Sequence, residues 1–200
     1  MQSATFFEAL AHILPADCLK TADEDMRPYE CDGLSMYRAL PKCVALPENE
    51  SQLAQVVKIC HAHRVPIVAR GAGTGLSGGA MPDPNALLLS TAKMMRILEV
   101  DPLACTARVQ PGVRNLAISE AVAPHGLYYA PDPSSQIACT IGGNVAENSG
   151  GVHCLKYGLT VHNVLRVRGL TIEGEAVEFG TGGLDAPGYD LLAVVIGSEG

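Results

Sequence analysis

Five glycines fall in the run Arg70-Gly71-Ala72-Gly73-Thr74-Gly75-Leu76-Ser77-Gly78-Gly79, directly after the apolar stretch Val65–Ala69. Without Cβ atoms, successive backbone N–H groups can converge on an anion, and a diphosphate is the usual one. Arg70 can add a charge-assisted hydrogen bond, and Thr74 and Ser77 can add hydroxyls. Gly73 to Gly78 match G-x-G-x-x-G by letter, and Glu99 lies about twenty residues on, as a dinucleotide fingerprint asks. That motif must open a helix, however, and Gly79, Pro82 and Pro84 forbid one here. A Walker A loop fails too, because no Lys-Ser or Lys-Thr follows Gly78. A glycine-rich turn with no ligand is the plain alternative, but a turn needs only one or two glycines.

A second glycine-rich segment runs from Pro131 to Gly151. It reads as one long polar loop rather than a core element. Asp132, Ser135, Thr140, Asn144, Asn148 and the backbone N–H groups suit a ligand rich in hydrogen-bonding edges, and a flavin ring is such a ligand. Gly142 and Gly143 would let the backbone lie against a flat ring, and Lys156-Tyr157-Gly158 could close the site. An ordinary long loop is the competing reading, although loops of this length usually carry function.

The surrounding elements must position these two segments. Ser3–Leu14 reads as a helix with Phe6, Leu10, Ile13 and Leu14 on one face, ended by Pro15. Its polar face lacks Lys and Arg, so a docked arm fits better than a membrane-surface helix. Asp17–Asp32 is polar and irregular, with Asp23-Glu24-Asp25 a solvated acidic run. Cys43–Leu46 is a short buried strand. Asn49 caps a helix, with Gln52 at the capping-box position and Leu53, Val56, Val57 and Cys60 at helical spacing. His61 and His63 read as helix-end residues, not metal ligands. Strands are expected at Val65–Ala69, Leu87–Ser90, Arg96–Val100 and Cys105–Gln110, then a helix at Val113–Ala123. A hairpin is expected at Val161–Thr171 and Ala176–Phe179, turned at Glu173-Gly174, and a wholly apolar strand at Leu191–Ile196. Such a mixture gives an α+β chain with a helix and arm over 1–37. A two-lobed body over 38–200 follows, its lobes about 38–100 and 101–200.

The bulk composition narrows the classes. The 200 residues are 48% hydrophobic and 18% charged, enough for a buried core. A net charge of -7 without a Lys or Arg block argues against nucleic acid and anionic membranes. No run approaches the roughly 18 apolar residues of a membrane span, and the first residues lack a basic signal region. Seven widely spaced Cys and no C-x-x-C pair argue against a disulfide framework, a zinc finger or an iron–sulfur cluster. No metal site is expected.

Taken together, Pro28-Tyr29-Glu30-Cys31-Asp32-Gly33-Leu34, the Val65–Gly79 segment, the Pro131–Gly151 segment and the final Gly197-Ser198-Glu199-Gly200 resemble the FAD-linked oxidases of the vanillyl-alcohol oxidase and PCMH type. The closer branch is that of glycolate oxidase subunits and D-lactate dehydrogenases. The resemblance implies a two-lobed FAD-binding domain with FAD in the cleft, truncated at its C-terminal end. It implies the first loop around the pyrophosphate, Pro131–Gly151 beside pyrophosphate and flavin ring, and Glu199 near the cofactor. Thr74 and Gln136 stand where some relatives bond covalently to the flavin, so a non-covalent cofactor is expected. The implied reaction oxidises a small 2-hydroxy acid, its α-hydride passing to flavin N5. An iron–sulfur partner subunit and a cytoplasmic location, at most peripheral to the inner membrane, are implied as well. The substrate-binding and metal-binding side chains of this branch lie in a cap domain further along. No catalytic residue is therefore assigned. His153 and Lys156 are the nearest candidates, and residues 1–200 alone are expected to be inactive. The alternatives are another flavoenzyme of the same fold, of alkyl-glycerone-phosphate synthase or cell-wall sugar reductase type, or a nucleotide-binding module without redox chemistry.

Overall fold

The computed structural model describes residues 5–182 and 188–200. They form two compact units, residues 1–93 with 170–177 and residues 94–169 with 178–200.

The first unit begins with helix α1 (Phe6–Ile13). Its start is fixed by a reciprocal cap: Glu8 N–H donates to Thr5 Oγ1 at 3.4 Å, and Thr5 N–H donates to Glu8 Oε2 at 2.8 Å. The expected start at Ser3 lies outside the described residues. Strand β1 (Leu19–Lys20) and the four-residue helix α2 (Asp23–Met26) follow, so the 17–32 stretch is less irregular than its composition suggests. Strand β2 (Cys43–Ala45) is wholly buried. Helix α3 (Glu50–His63) starts at Asn49, whose side chain accepts from Gln52 N–H at 3.0 Å. The Gln52 side chain accepts from Glu48 N–H rather than completing a box with Asn49. α3 ends where Arg64 turns left-handed at φ 53°.

Strands β3 (Ile67–Arg70) and β4 (Leu87–Ser90) complete a sheet of order β1-β2-β4-β3. β4 is central, parallel to β2 and β3, while β1 runs antiparallel to β2. A strand buried on both faces should be a continuous apolar run, and Leu87, Leu88 and Leu89 are that run. α1 and α3 cover one face through Phe6, Leu10, Val56, Val57 and Cys60, while Met26, Leu46, Val44 and Leu88 pack together in a second cluster.

The second unit holds β5 (Ile97–Asp101) paired antiparallel with β6 (Thr106–Val109), then α4 (Asn115–Val122). Its core is Val113, Ile118 and Ile141, with Ile97, Val109 and Tyr129 around them. Short helices α5 (Ile141–Glu147), α6 (Cys154–Tyr157) and α7 (Thr160–Asn163) lead to the hairpin β7 (Arg166–Leu170) and β8 (Ala176–Gly180). The hairpin tip, residues 170–177, belongs to the first unit. There Gly174, at φ +76°, lies so near α3 that a Cβ would stand 2.8 Å from the Ala54 carbonyl.

Three expectations are corrected. Leu191–Val195 is helix α8, not a strand. Asp190 caps it by accepting from Ala193 N–H at 3.0 Å, and no strand among the described residues pairs with it. Residues 160–163 are helical, so the hairpin starts at Arg166 rather than Val161. The Pro131–Gly151 segment is not one loop, because α5 lies inside it.

Truncating Leu88, fully buried in the central strand, should cost about 2–5 kcal/mol, whereas Asn49→Ala should cost about 1 kcal/mol through the lost cap. Urea unfolding of the two variants should give that order.

Candidate functional site

The first glycine run leaves β3 at its C-terminal end. Because β3 and β4 are parallel, residues 71–86 must carry the chain back along the sheet rather than close a hairpin, and no helix forms on the way. A tight ligand-free turn cannot do this. Among the described residues, the backbone N–H groups of Gly71 through Leu76 find no acceptor within the protein. Such a row of unspent donors fits a polyanion, and the cradle is held from two sides. Gly33 packs so closely that a Cβ there would stand 2.6 Å from the Gly75 carbonyl oxygen and 2.9 Å from that of Thr74. Gly73, at φ +68°, sits over the Arg70 guanidinium, which a Cβ would strike. Gly78 is also left-handed, at φ +83°, and Met81 N–H returns to its carbonyl.

Arg70 differs from its sequence reading. It is the last residue of β3, buried, with Nη1 donating to the Cys31 carbonyl at 2.6 Å and its guanidinium over the Tyr29 ring at 5.8 Å. Burial lowers its pKa, and Cys31, Asp32 and Tyr29 oppose that shift. Its first task is to prop the loop from beneath. Ala72, Thr74, Leu76, Ser77 and Gly79 are exposed along the same run.

In the second unit the named residues divide into a hydrogen-bonded scaffold and a less enclosed group. Asn144 belongs to the scaffold. It is buried, its Oδ1 accepting from Asn115 Nδ2 at 2.9 Å and its Nδ2 meeting Cys139 Sγ at 3.3 Å. Asn115 also donates to the carbonyl of buried Pro131 at 3.0 Å. Asn148 ends α5 at φ 53°, and its Oδ1 accepts from Val161 N–H. Gly158 is left-handed and packs on His162. Glu199 N–H donates to the Ala146 carbonyl, and Gly197 N–H to that of Val145, so the terminal Gly-Ser-Glu-Gly hangs on the end of α5. Sequence reasoning missed Asn115 altogether: a lone Asn in a helix carries no signal of its partners.

The remaining groups are half-buried, apart from buried Thr140 and exposed Tyr157. Gly142 is pressed on Pro111, where a Cβ would stand 2.9 Å away, whereas Gly143 has free space out to Thr140 Oγ1 at 3.6 Å. That Thr140 oxygen is buried and has no partner among the described residues. The Ser135 carbonyl closes a turn by accepting from Ala138 and Cys139 N–H. Asp132 accepts from His153 N–H at 3.2 Å and meets His153 Nδ1 at 2.6 Å, and this contact holds its carboxyl below the usual range. Gly151 fits only as glycine, because a Cβ would run into the Asp132 carbonyl. Tyr157 packs edge-on to Tyr128 at 6.0 Å, with Lys156 over its ring at 4.8 Å. Hydrogen bonds with Tyr128 and Lys156 lower the Tyr157 phenol.

A glycine-rich crossover of unspent N–H donors at the end of a parallel sheet is the kind of cradle that holds the diphosphate of a nucleotide cofactor. The chain belongs to the FAD binding domain family, whose pattern matches residues 41–180. It is 61% identical over 189 residues to the glycolate oxidase subunit GlcD of Escherichia coli K12, covering 94% of this chain and 38% of that protein. It is 35% identical to a D-lactate dehydrogenase of Anaerostipes hadrus, over 96% of the chain and 41% of the relative. The fold matches alkyldihydroxyacetonephosphate synthase at a TM-score of 0.87 with 23% identity, over all of this chain and 38% of that one. It also matches p-cresol methylhydroxylase at 0.79 with 22% identity, over 94% and 37%. The chain thus spans less than half the length of these relatives. Among the described residues no helix is long and apolar enough to cross a membrane.

The two adjacent glycines should separate in a substitution test. Gly142→Ala should destabilise the protein by forcing Pro111 away. Gly143→Ala, in open space within a helix, should stabilise it by about 0.5–1 kcal/mol. Thermal melting of both variants checks the sign.

Proposed function

We propose that this chain is the FAD-holding part of a flavin-dependent dehydrogenase or oxidase of small 2-hydroxy acids, of the glycolate or D-lactate class. The observation that carries the reading is the 61% identity to a glycolate oxidase subunit over 94% of the chain. The unspent N–H groups of Gly71 through Leu76 support the cofactor half of it. In this reading Gly71, Ala72, Gly73, Thr74, Gly75, Leu76, Ser77, Gly78 and Gly79 hold the diphosphate, with Arg70 beneath them. Pro131, Asp132, Ser135, Thr140, Gly142, Gly143 and Gly151 line the flavin side through backbone groups and the Thr140 hydroxyl. Asn144, Asn148, Gly158 and Glu199 fix that surface, and Tyr157 stands at its edge. When bound, FAD supplies the acceptor for the hydride leaving the substrate's α-carbon. The chain's own contribution is to bind and orient, with Asp132 holding the His153 ring in place.

The cofactor is held without a covalent bond, since Thr74 and Gln136 offer neither imidazole nor thiol. The substrate's carboxylate requires a cation and its hydroxyl a base. Neither is assigned within these residues, in keeping with a chain that spans 38% of its glycolate oxidase relative. An iron–sulfur partner that takes up the electrons belongs to the same proposal.

Gly75→Val should lower FAD content several-fold while the far-UV circular dichroism stays as in the parent. Full flavin in that variant would sink the loop assignment. Acid precipitation of the flavin-loaded protein should leave the yellow colour in the supernatant, and a coloured pellet would refute the non-covalent reading.

A further inference from the structure

A cluster in the first unit lies outside everything assigned so far. Cys18 ends the short turn after α1 and is fully buried, its carbonyl accepting from Leu46 N–H. Lys93, three residues beyond β4, reaches back across the sheet edge and places its Nζ 3.0 Å from Cys18 Sγ. The same ammonium pairs with Asp17 Oδ2 and lies 3.6 Å from Glu48 Oε1. Asp17, Cys18 and Glu48 bring their ligand atoms within 4.8 Å of one another, as a cation site would. The lysine nitrogen is the cation there, so a metal reading is unnecessary.

The contact joins a thiol and an amine that lie 75 positions apart in sequence. Among the described residues, the partly or fully exposed thiols, Cys31, Cys105 and Cys154, have no lysine nitrogen within hydrogen-bonding distance. We infer that Cys18 and Lys93 form an oxidation-driven covalent cross-link, a sulfenamide that ties the N-terminal arm to the end of β4. The oxidant is a peroxide of the size of water. The Cys18 sulfur is buried beneath the Lys93 side chain, which keeps 28% exposure, so displacement of that side chain is what would admit the peroxide. In the first step the Cys18 sulfur attacks the peroxide: an S–O bond forms, the O–O bond breaks, and Cys18 becomes a sulfenic acid with release of one water. In the second, Lys93 loses a proton to solvent base and its nitrogen pair attacks the sulfenyl sulfur. The S–N bond forms as the S–O bond breaks, and the oxygen leaves as a second water. The sum is thiol plus amine plus one hydrogen peroxide giving sulfenamide and two waters. Sulfur is oxidised by two electrons and the peroxide is reduced. Asp17 and Glu48 hold the amine against the sulfur. Hydrogen bonds to Asp17 and Cys18 keep Lys93 protonated more strongly than an ordinary lysine, so the second step should speed up as pH rises.

The test uses the whole chain treated with hydrogen peroxide, alkylated without reduction, digested and analysed by mass spectrometry. A peptide pair joining the Cys18 and Lys93 segments, lighter than their sum by two hydrogens and released by dithiothreitol, is the expected product. It should form faster at pH 9 than at pH 7. Lys93→Arg keeps the ion pairs but lacks a competent amine, and it should abolish the pair while Cys105 still oxidises. The cross-linked protein should melt higher than the same sample after reduction, and the Lys93→Arg protein should show no such difference. Cys18 recovered as a free, alkylatable thiol under conditions that oxidise Cys105 would overturn the inference. So would an unchanged product in Lys93→Arg.

Discussion

The parallel pairing of β3 with β4 is the constraint from which the first unit's chemistry follows. Two adjacent parallel strands oblige the chain to return the full length of the sheet between them. In most such crossovers a helix does this and satisfies its own backbone. Here residues 71–86 make the crossing without one. The cost is the run of amide groups from Gly71 to Leu76 that have no internal partner among the described residues, and glycine is the residue that lets them crowd together. Ligand sites of open parallel sheets lie at the carboxyl ends of the strands, which is where this stretch begins. Arg70 then gains two tasks from one position. As the last residue of β3 it is part of the sheet, and its guanidinium supports the turn that Gly73 makes above it. Gly33 completes the support from the arm. The arm is therefore part of the cradle's wall and not an appendage to it.

The second unit is organised on a different principle. Its apolar core is small, and a buried polar network does much of the fixing. Asn115 bridges the Pro131 carbonyl and Asn144, and Asn144 in turn reaches Cys139. Such a network ties α4, α5 and the turn before α5 into one geometry. Each buried amide must be satisfied or the arrangement is lost. This rigid frame is what allows the neighbouring glycine face, from Gly142 to Gly143, to be held without side chains of its own.

Sequence pattern disclosed the elements whose burial is apolar and continuous. Leu87–Ser90 could only be a buried strand, and α3 announced itself by Asn49 and by Leu53, Val56, Val57 and Cys60. The failures came where one residue type serves two purposes. Gly142 and Gly143 read as loop residues, yet they begin helix α5, because close packing on Pro111 needs a glycine there regardless of secondary structure. Leu191–Val195 has the apolar, β-branched composition of a strand. A strand exists only through a partner, though, and a single capping Asp190 was enough to decide for helix. Among site residues, the glycine run was legible because its composition is costly without a ligand. The burial of Asn144, read from sequence as a ligand group, was not legible, since it depends on Asn115, a residue 29 positions away. The cation at Cys18 was invisible for the same reason: Lys93 carries no mark of where its side chain will go.

Most of the groups assigned to the cofactor are backbone groups, and this limits what they can select. A backbone N–H reads the charge and shape of a diphosphate, not the substrate beside a flavin. The same frame therefore recurs in alkyldihydroxyacetonephosphate synthase and p-cresol methylhydroxylase, at identities of 23% and 22%. Fold alone cannot separate such chemistries. What favours 2-hydroxy acids is instead the much higher identity to a glycolate oxidase subunit. That identity extends over side chains with no stake in binding a diphosphate. The Asp132–His153 pair and the Tyr128–Tyr157–Lys156 cluster lie in or just beyond the second glycine-rich segment and present side chains rather than glycines. A difference in substrate between proteins of this fold must be expressed through side chains, because a glycine cradle offers nothing with which to tell one substrate from another.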